Sequence, residues 1–202
     1  MSFMKDNINN VNDKESDQKF LDDYYYRYQK ILFDSRDDNS ILKLRNAIYE
    51  THLNKGKLIF IGNGASASLA SHAATDFTKQ ARIPSIAFND HNLITALSND
   101  YGYKYWAAKA IEFYSGPNDM IIFISVSGES VNLLEGIDFA NKISLSTASL
   151  TGSSRTNSLR KKSKYSLWVN SKAYNIVESI HTIWITLIID LFVGSPEYMV
   201  NN

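Results

Sequence analysis

At 202 residues, 44% of them hydrophobic, the chain has enough apolar side chains for one globular domain with a full core. Lysine plus arginine and aspartate plus glutamate stand at 21 each, so no global basic field draws the protein to nucleic acid. The absence of cysteine excludes disulfides and thiolate metal sites and fits a reducing compartment, so any metal would rest on histidine and carboxylate ligands.

Residues 1–17 are polar, rich in Asn and Asp, and lack the apolar core of a secretion signal; they are expected to be a flexible N-terminus before a single domain over 18–202. The following stretch, FLDDYYYRYQKILFDSRDDNSILKLRNAIYETHLNKG, spaces apolar residues three and four apart and breaks near residues 34–40. It predicts two amphipathic helices, the second with Ser40 as N-cap and Gly56 after its last turn. The aromatics over 24–29 suit a core or oligomer contact.

The pattern then changes to short apolar runs, KLIFIGN, PSIAFND, MIIFISVSG, LSTASLTG and YSLWVNS, which suit strands of a mostly parallel sheet buried on both faces. Between and after them, helices are predicted over 66–80, 91–98, 103–114, 130–142, 158–162 and 173–193. Within the last, IWITLIIDLFVG is interrupted by Asp190 and too short to span a bilayer, which points to a buried helix and a soluble cytoplasmic protein with no membrane partner. The architecture is a three-layer α/β sandwich with helices added at the N-terminus. The basic run Arg160, Lys161, Lys162 with Lys164 is short enough to be a solvated face.

In an open parallel sheet, ligands bind beyond the carboxyl ends of the strands. Two such loops are specialised. The first, Gly62-Asn63-Gly64-Ala65-Ser66-Ala67-Ser68, lets backbone approach a ligand and offers amide and hydroxyl donors. The second, Ser125-Val126-Ser127-Gly128-Glu129-Ser130, sets three hydroxyls before a helix and suits a phosphate. Either loop alone reads as ordinary turn formers and caps; the two together favour a ligand cradle. Without a Walker lysine or full GxGxxG spacing, a small phosphoester fits better than a nucleotide.

The segments GNGASAS and SVSGES, with ALSNDYGY between them and LTG after them, resemble the sugar isomerase (SIS) domain. Within that superfamily, the chain is similar to the sedoheptulose 7-phosphate isomerases, or phosphoheptose isomerases. The resemblance implies a five-stranded parallel sheet, a homotetramer, and active sites at subunit interfaces. It also implies substrate contacts from Asn63, Gly64, Ser66 and Asp100, and phosphate binding by Ser125, Ser127 and Ser130.

His72 and Asp76, four apart, share a helix face and are either half of a metal site or a surface pair. In the family, a histidine and a glutamate at these positions bind zinc, and the glutamate handles a proton. The family's last helix then supplies a glutamine and, eight residues on, a histidine that is both ligand and acid or base. Here those positions are Val177 and Ile185. His181 lies between them, displaced from Ile185 by one turn, about 6 Å along the axis. The expectation is therefore an altered site for zinc or another divalent metal, drawing on His72, Asp76 and His181, or no metal at all.

Interconverting a ketose and an aldose moves a proton between C1 and C2 through an enediol, which needs a base near carbon and an acid near oxygen. Glu178 and His181, with Asp76, are the candidates; the alternative for His181 is a core histidine beside Trp184. His52 and His91 read as surface or loop residues, and Lys172 is a candidate contact to a ligand in a neighbouring subunit. The leading expectation is a ketose/aldose phosphate isomerase feeding a heptose, or a related sugar, into surface polysaccharide. The alternative is a non-catalytic sugar-phosphate-binding regulator or adaptor.

Overall fold

The computed structural model describes residues 14–198. Two units are distinguished within the chain, divided between Arg36 and Asp37. In the first, helix α1 (Lys14–Gln29) runs into a π-helical turn (Lys30–Asp34), so residues 14–17 belong to a helix. α1 buries none of its residues. Its aromatics instead stack along one face, with Phe20 and Tyr24 ring centres 5.9 Å apart and Tyr24 and Tyr28 5.3 Å apart, a spacing of four that one helical stripe imposes.

The second unit begins with α2 (Asp38–Leu53). Its cap is Asp37, not Ser40: the Asp37 carboxylate accepts from the Ser40 amide at 3.0 Å and the Ser40 hydroxyl at 2.6 Å. Serine thus sits in the first turn as a donor. These bonds hold the Asp37 carboxyl below its usual pKa. Five strands and six helices follow: β1 (Leu58–Gly62), α3 (Ala65–Lys79), β2 (Ser85–Ala87), α4 (His91–Tyr101), α5 (Trp106–Tyr114), β3 (Met120–Ser125), α6 (Val131–Lys142), β4 (Ser146–Thr151), α7 (Ser158–Lys162), β5 (Tyr165–Trp168) and α8 (Tyr174–Val193).

All strand pairs are parallel, in the order β2-β1-β3-β4-β5. The five-stranded parallel α/β sheet expected from the sequence is therefore present. β1 and β3, central and covered on both faces, are buried at every position, whereas the edge strands β2 and β5 are only partly buried. Ile59, Ile61, Ile121 and Phe123 point into a core completed by Trp106, Ala107 and Ile111 of α5 and Leu133 and Ile137 of α6. On the opposite face Phe60 stacks on Phe77 of α3, at 5.6 Å between ring centres, and Phe77 meets Phe192 of α8.

α8 is longer than the apolar core of its sequence suggests, and in length and composition it matches a membrane-crossing helix. Yet Ile176, Val177, Ile180, Trp184, Ile185, Ile188 and Ile189 are all buried within the fold. The order of the sheet turns back between β1 and β3, because the chain leaves β1 toward β2 on one side and returns to β3 on the other. That switch point opens a crevice at the strands' carboxyl ends, and the two specialised loops are the ones that follow β1 and β3.

Candidate active site

The loop after β1 is shaped by two glycines. Gly64 has φ 57° and ψ −127°, a backbone region that side chains disfavour. At Gly62 a Cβ would lie 2.6 Å from the Ser66 carbonyl group, so only glycine lets α3 start this close to the strand. The tight entry buries Ser66 and closes the first turn through the Ser66 amide to the Asn63 carbonyl at 3.1 Å. The Asn63 side chain pairs reciprocally with the buried Asn132, each amide donating to the other at 3.0 Å. Tyr103 adds a hydroxyl bond to the same Asn63 oxygen at 3.3 Å. Asn132 lies in the first turn of α6, so this pair locks the two ligand loops together.

The loop after β3 is held from within. The Gly128 amide donates to Ser125 Oγ at 3.1 Å and the Glu129 amide to Ser127 Oγ at 3.2 Å. Gly128 has φ 69°, and a Cβ there would fall 2.1 Å from Asn157 Oδ1. Asn157, fully buried, donates to Thr151 Oγ1, the Gly152 carbonyl and the Ser154 carbonyl, and accepts from the Arg160 amide. Glu129 in turn accepts from the Ser158 amide at 2.8 Å, tying the loop to the start of α7. Ser130 occupies the N-cap position of α6 but spends no side-chain bond on the cap, which leaves its hydroxyl for a ligand.

Asn63, Gly64, Ser66, Ser125, Ser127 and Ser130 together line one cleft of about 310 Å³, with Glu178 of α8 on its wall. The six were selected as substrate contacts from the sequence, and they come together. Asp100 does not join them. It is exposed on α4, its carboxylate accepting from Asn99 Nδ2 at 3.0 Å.

A second cleft of about 450 Å³ lies between α3 and α8, and Ser66 and Glu178 line it as well as the first. His72 and Asn175 are on its walls. His72 Nε2 is 2.8 Å from Asp76 Oδ2; the histidine side chain is 56% exposed and the aspartate 18%. His181 also borders this cleft but is 0% exposed, and neither ring nitrogen has a hydrogen-bond partner among the described residues. Burial lowers its pKa to about 4, so the imidazole is neutral near pH 7. A buried neutral ring beside Trp184, 6.3 Å between centres, matches the core alternative better than that of a proton carrier.

The donor set for a metal does not close. Among the described residues, no three of His, Cys, Asp or Glu are grouped to hold an ion, so His72, Asp76 and His181 do not form a shared centre. Val177 and Ile185 are buried, and the Val177 methyls approach to 2.7 and 2.8 Å of where a Gly152 Cβ would stand, so that side of the helix is packed apolar core. The residues present do not fit the zinc site that the resemblance implies.

The SIS-domain family model matches residues 23–152. The chain belongs to the SIS-domain family. This SIS chain is 37% identical over 120 residues to a phosphoheptose isomerase of Roseiflexus sp. (strain RS-1), covering 56% of this chain and 61% of that protein. It is 31% identical over 160 residues to a probable phosphoheptose isomerase of Thermoplasma volcanium, covering 76% and 81%. The chain thus spans less than two thirds of the first relative and about four fifths of the second. A phosphoheptose isomerase structure from Francisella tularensis superposes with a TM-score of 0.79 at 22% identity, covering 88% of this SIS chain and 98% of that one, a likeness of fold.

Asn132 and Asn157, which hold the two loops, and Asn175, which lines the second cleft, are absent from the sequence-based selection. Asn132 follows the second loop by two residues, a usable signal. Asn157 and Asn175 stand in polar stretches where nothing in the pattern separates them from ordinary caps.

Proposed function

We infer that the protein is a phosphosugar isomerase that binds the phosphate of an open-chain sugar at the Ser125–Ser130 loop and isomerises its carbonyl end beside Glu178. The observation that carries this reading is that Glu178 borders both clefts, so one carboxylate meets the phosphate cradle on one side and the larger cleft on the other. The serine hydroxyls and the amides opening α6 suit a dianion. A carboxylate at the junction suits proton transfer between C1 and C2. The identities to phosphoheptose isomerases support a heptose phosphate as the sugar; within that class the proposed substrate is sedoheptulose 7-phosphate, with a heptose 7-phosphate for surface polysaccharide as product. No step in this reading passes through a metal.

The protein works in the cytoplasm, as a homotetramer whose association covers apolar side chains such as Phe20, Tyr25 and Phe33, now exposed. A second reading, a sugar-phosphate-binding regulator without catalysis, is favoured by the sealed His181. The deciding experiment incubates the purified protein with a panel of ketose phosphates and follows the products by NMR. Aldose phosphate formed from sedoheptulose 7-phosphate supports the enzyme; tight binding with no product from any ketose phosphate overturns it and selects the regulator.

A further inference from the structure

We propose that His72, held by Asp76, carries the oxygen-side proton of the isomerisation directly, without a metal ion, while Glu178 handles the carbon-side proton. The proposal rests on the isomerase reading above. Asp76 Oδ2 sits 2.8 Å from His72 Nε2, so in the neutral ring the proton is on Nε2 and the lone pair is on Nδ1. Nδ1 makes no hydrogen bond among the described residues, because the Asp76 contact is the only polar one His72 has there. His72 and Glu178 belong to α3 and α8 and line the same cleft. His181, the other imidazole of that cleft, has no accessible ring atom with which to exchange a proton.

The two positions from which the resemblance would draw further metal ligands to the His72–Asp76 pair are filled with packed apolar groups, Val177 against Gly152 and Ile185 in the core, and no third His, Asp or Glu among the described residues is grouped with the pair. An imidazole with a carboxylate behind it needs no metal to hold a proton: the carboxylate fixes the tautomer and stabilises the imidazolium when it forms. Asp76 is thus a positioning residue and His72 a catalytic one.

The step balances without any co-reactant. Glu178 removes a proton from C1, the electron pair of that C–H bond forms the C1–C2 double bond, and the carbonyl pair moves onto O2. His72 Nδ1 accepts the proton of the O1 hydroxyl and delivers it to O2. The O1 pair then forms the new carbonyl at C1, and the double-bond pair takes the proton from Glu178 at C2.

The test uses the full chain, dialysed against EDTA, with metal content measured by elemental mass spectrometry and sedoheptulose 7-phosphate as substrate in D2O. Product formation and deuterium entering C1 of the remaining ketose are both followed by NMR. The wild type is expected to keep its turnover within about twofold after stripping and to gain nothing from added zinc. His72→Gln, on an exposed side chain that leaves the fold intact, is expected to lower product formation by about 100- to 1,000-fold with KM little changed. Deuterium exchange into C1 should fall much less, because Glu178 is untouched. Asp76→Asn should lower kcat by about 10- to 100-fold with KM little changed, and Asp76→Glu, which restores a carboxylate behind the ring, should recover most of that loss.

Turnover that vanishes with the metal and returns with zinc overturns the proposal, as does full turnover in His72→Gln or an equal loss of exchange and product in that variant. A wild type that turns over no ketose phosphate defeats the isomerase reading itself, a separate result.

Discussion

Ser127 and His181 show how differently two polar side chains beside one crevice can behave. Ser127 spends its oxygen accepting from the Glu129 amide and keeps its proton for a ligand. Ser127→Ala should remove one charge-assisted bond to a phosphate dianion, about 1.5 to 3 kcal/mol, and weaken phosphosugar binding roughly 10- to 100-fold in calorimetric titration. Equal weakening for the unphosphorylated sugar would show that the loop does not read phosphate. His181 is sealed from water with no hydrogen-bond partner on either ring nitrogen among the described residues, and it responds to pH instead. Its folded pKa, about 4, lies below the ordinary 6.5, so the unfolded chain binds the extra proton first as pH falls. Stability from this group is complete above about pH 6.5 and is lost between there and about pH 4, by about 3 kcal/mol at most. Urea unfolding at pH 7.5 and 4.5 should show that loss in the wild type and a smaller one in His181→Gln. Equal losses in the two proteins would mean that His181 is not sealed.

Secondary-structure elements carried most of the legible information, because their periods differ. The two-sided apolar runs LIFIG and MIIFIS are fully buried strands, and the helical spacing over 158–162 matches α7 residue for residue. Misreadings fell at ends, where one side-chain bond decides the boundary. Asp37 takes the cap from Ser40, and residues 103–105 form a turn before α5 begins at Trp106. In α8, helical spacing places His181 on the inward stripe but says nothing of whether water reaches that stripe, which is why its burial needed the structure. Asp100 illustrates the limit of motif transfer: α4 runs on to Tyr101 and carries it away from the clefts. The loops hold firmer tests. Gly128→Ala places a methyl both in a left-handed backbone and onto the buried Asn157 side chain, so it should lower stability by about 2 to 4 kcal/mol in urea unfolding and also weaken phosphate binding. A variant as stable as the wild type would mean that the loop is not pinned by Asn157.

For the molecule as a whole, the switch in strand order puts the loops of β1 and β3 side by side, and α8 brings Glu178 against both. The fold was legible in the sequence, and the lining of the smaller cleft nearly so, since its serines and glycines are contiguous. The meeting of α3 with α8 was not, because it joins residues about a hundred positions apart through packing that no local pattern encodes. The same helices leave Ile183, Leu187 and Leu191 exposed, besides the aromatics of α1. Light scattering at micromolar concentration should therefore give the mass of a tetramer, and a monomer would contradict the shared apolar contact. The sharpest measurement is turnover and affinity of Glu178→Gln on the same ketose phosphate. A carboxylate that transfers the proton predicts a loss of kcat of about 100- to 10,000-fold with phosphosugar affinity within a few-fold of wild type. Unchanged turnover in Glu178→Gln would contradict the assignment of the two clefts to one active site.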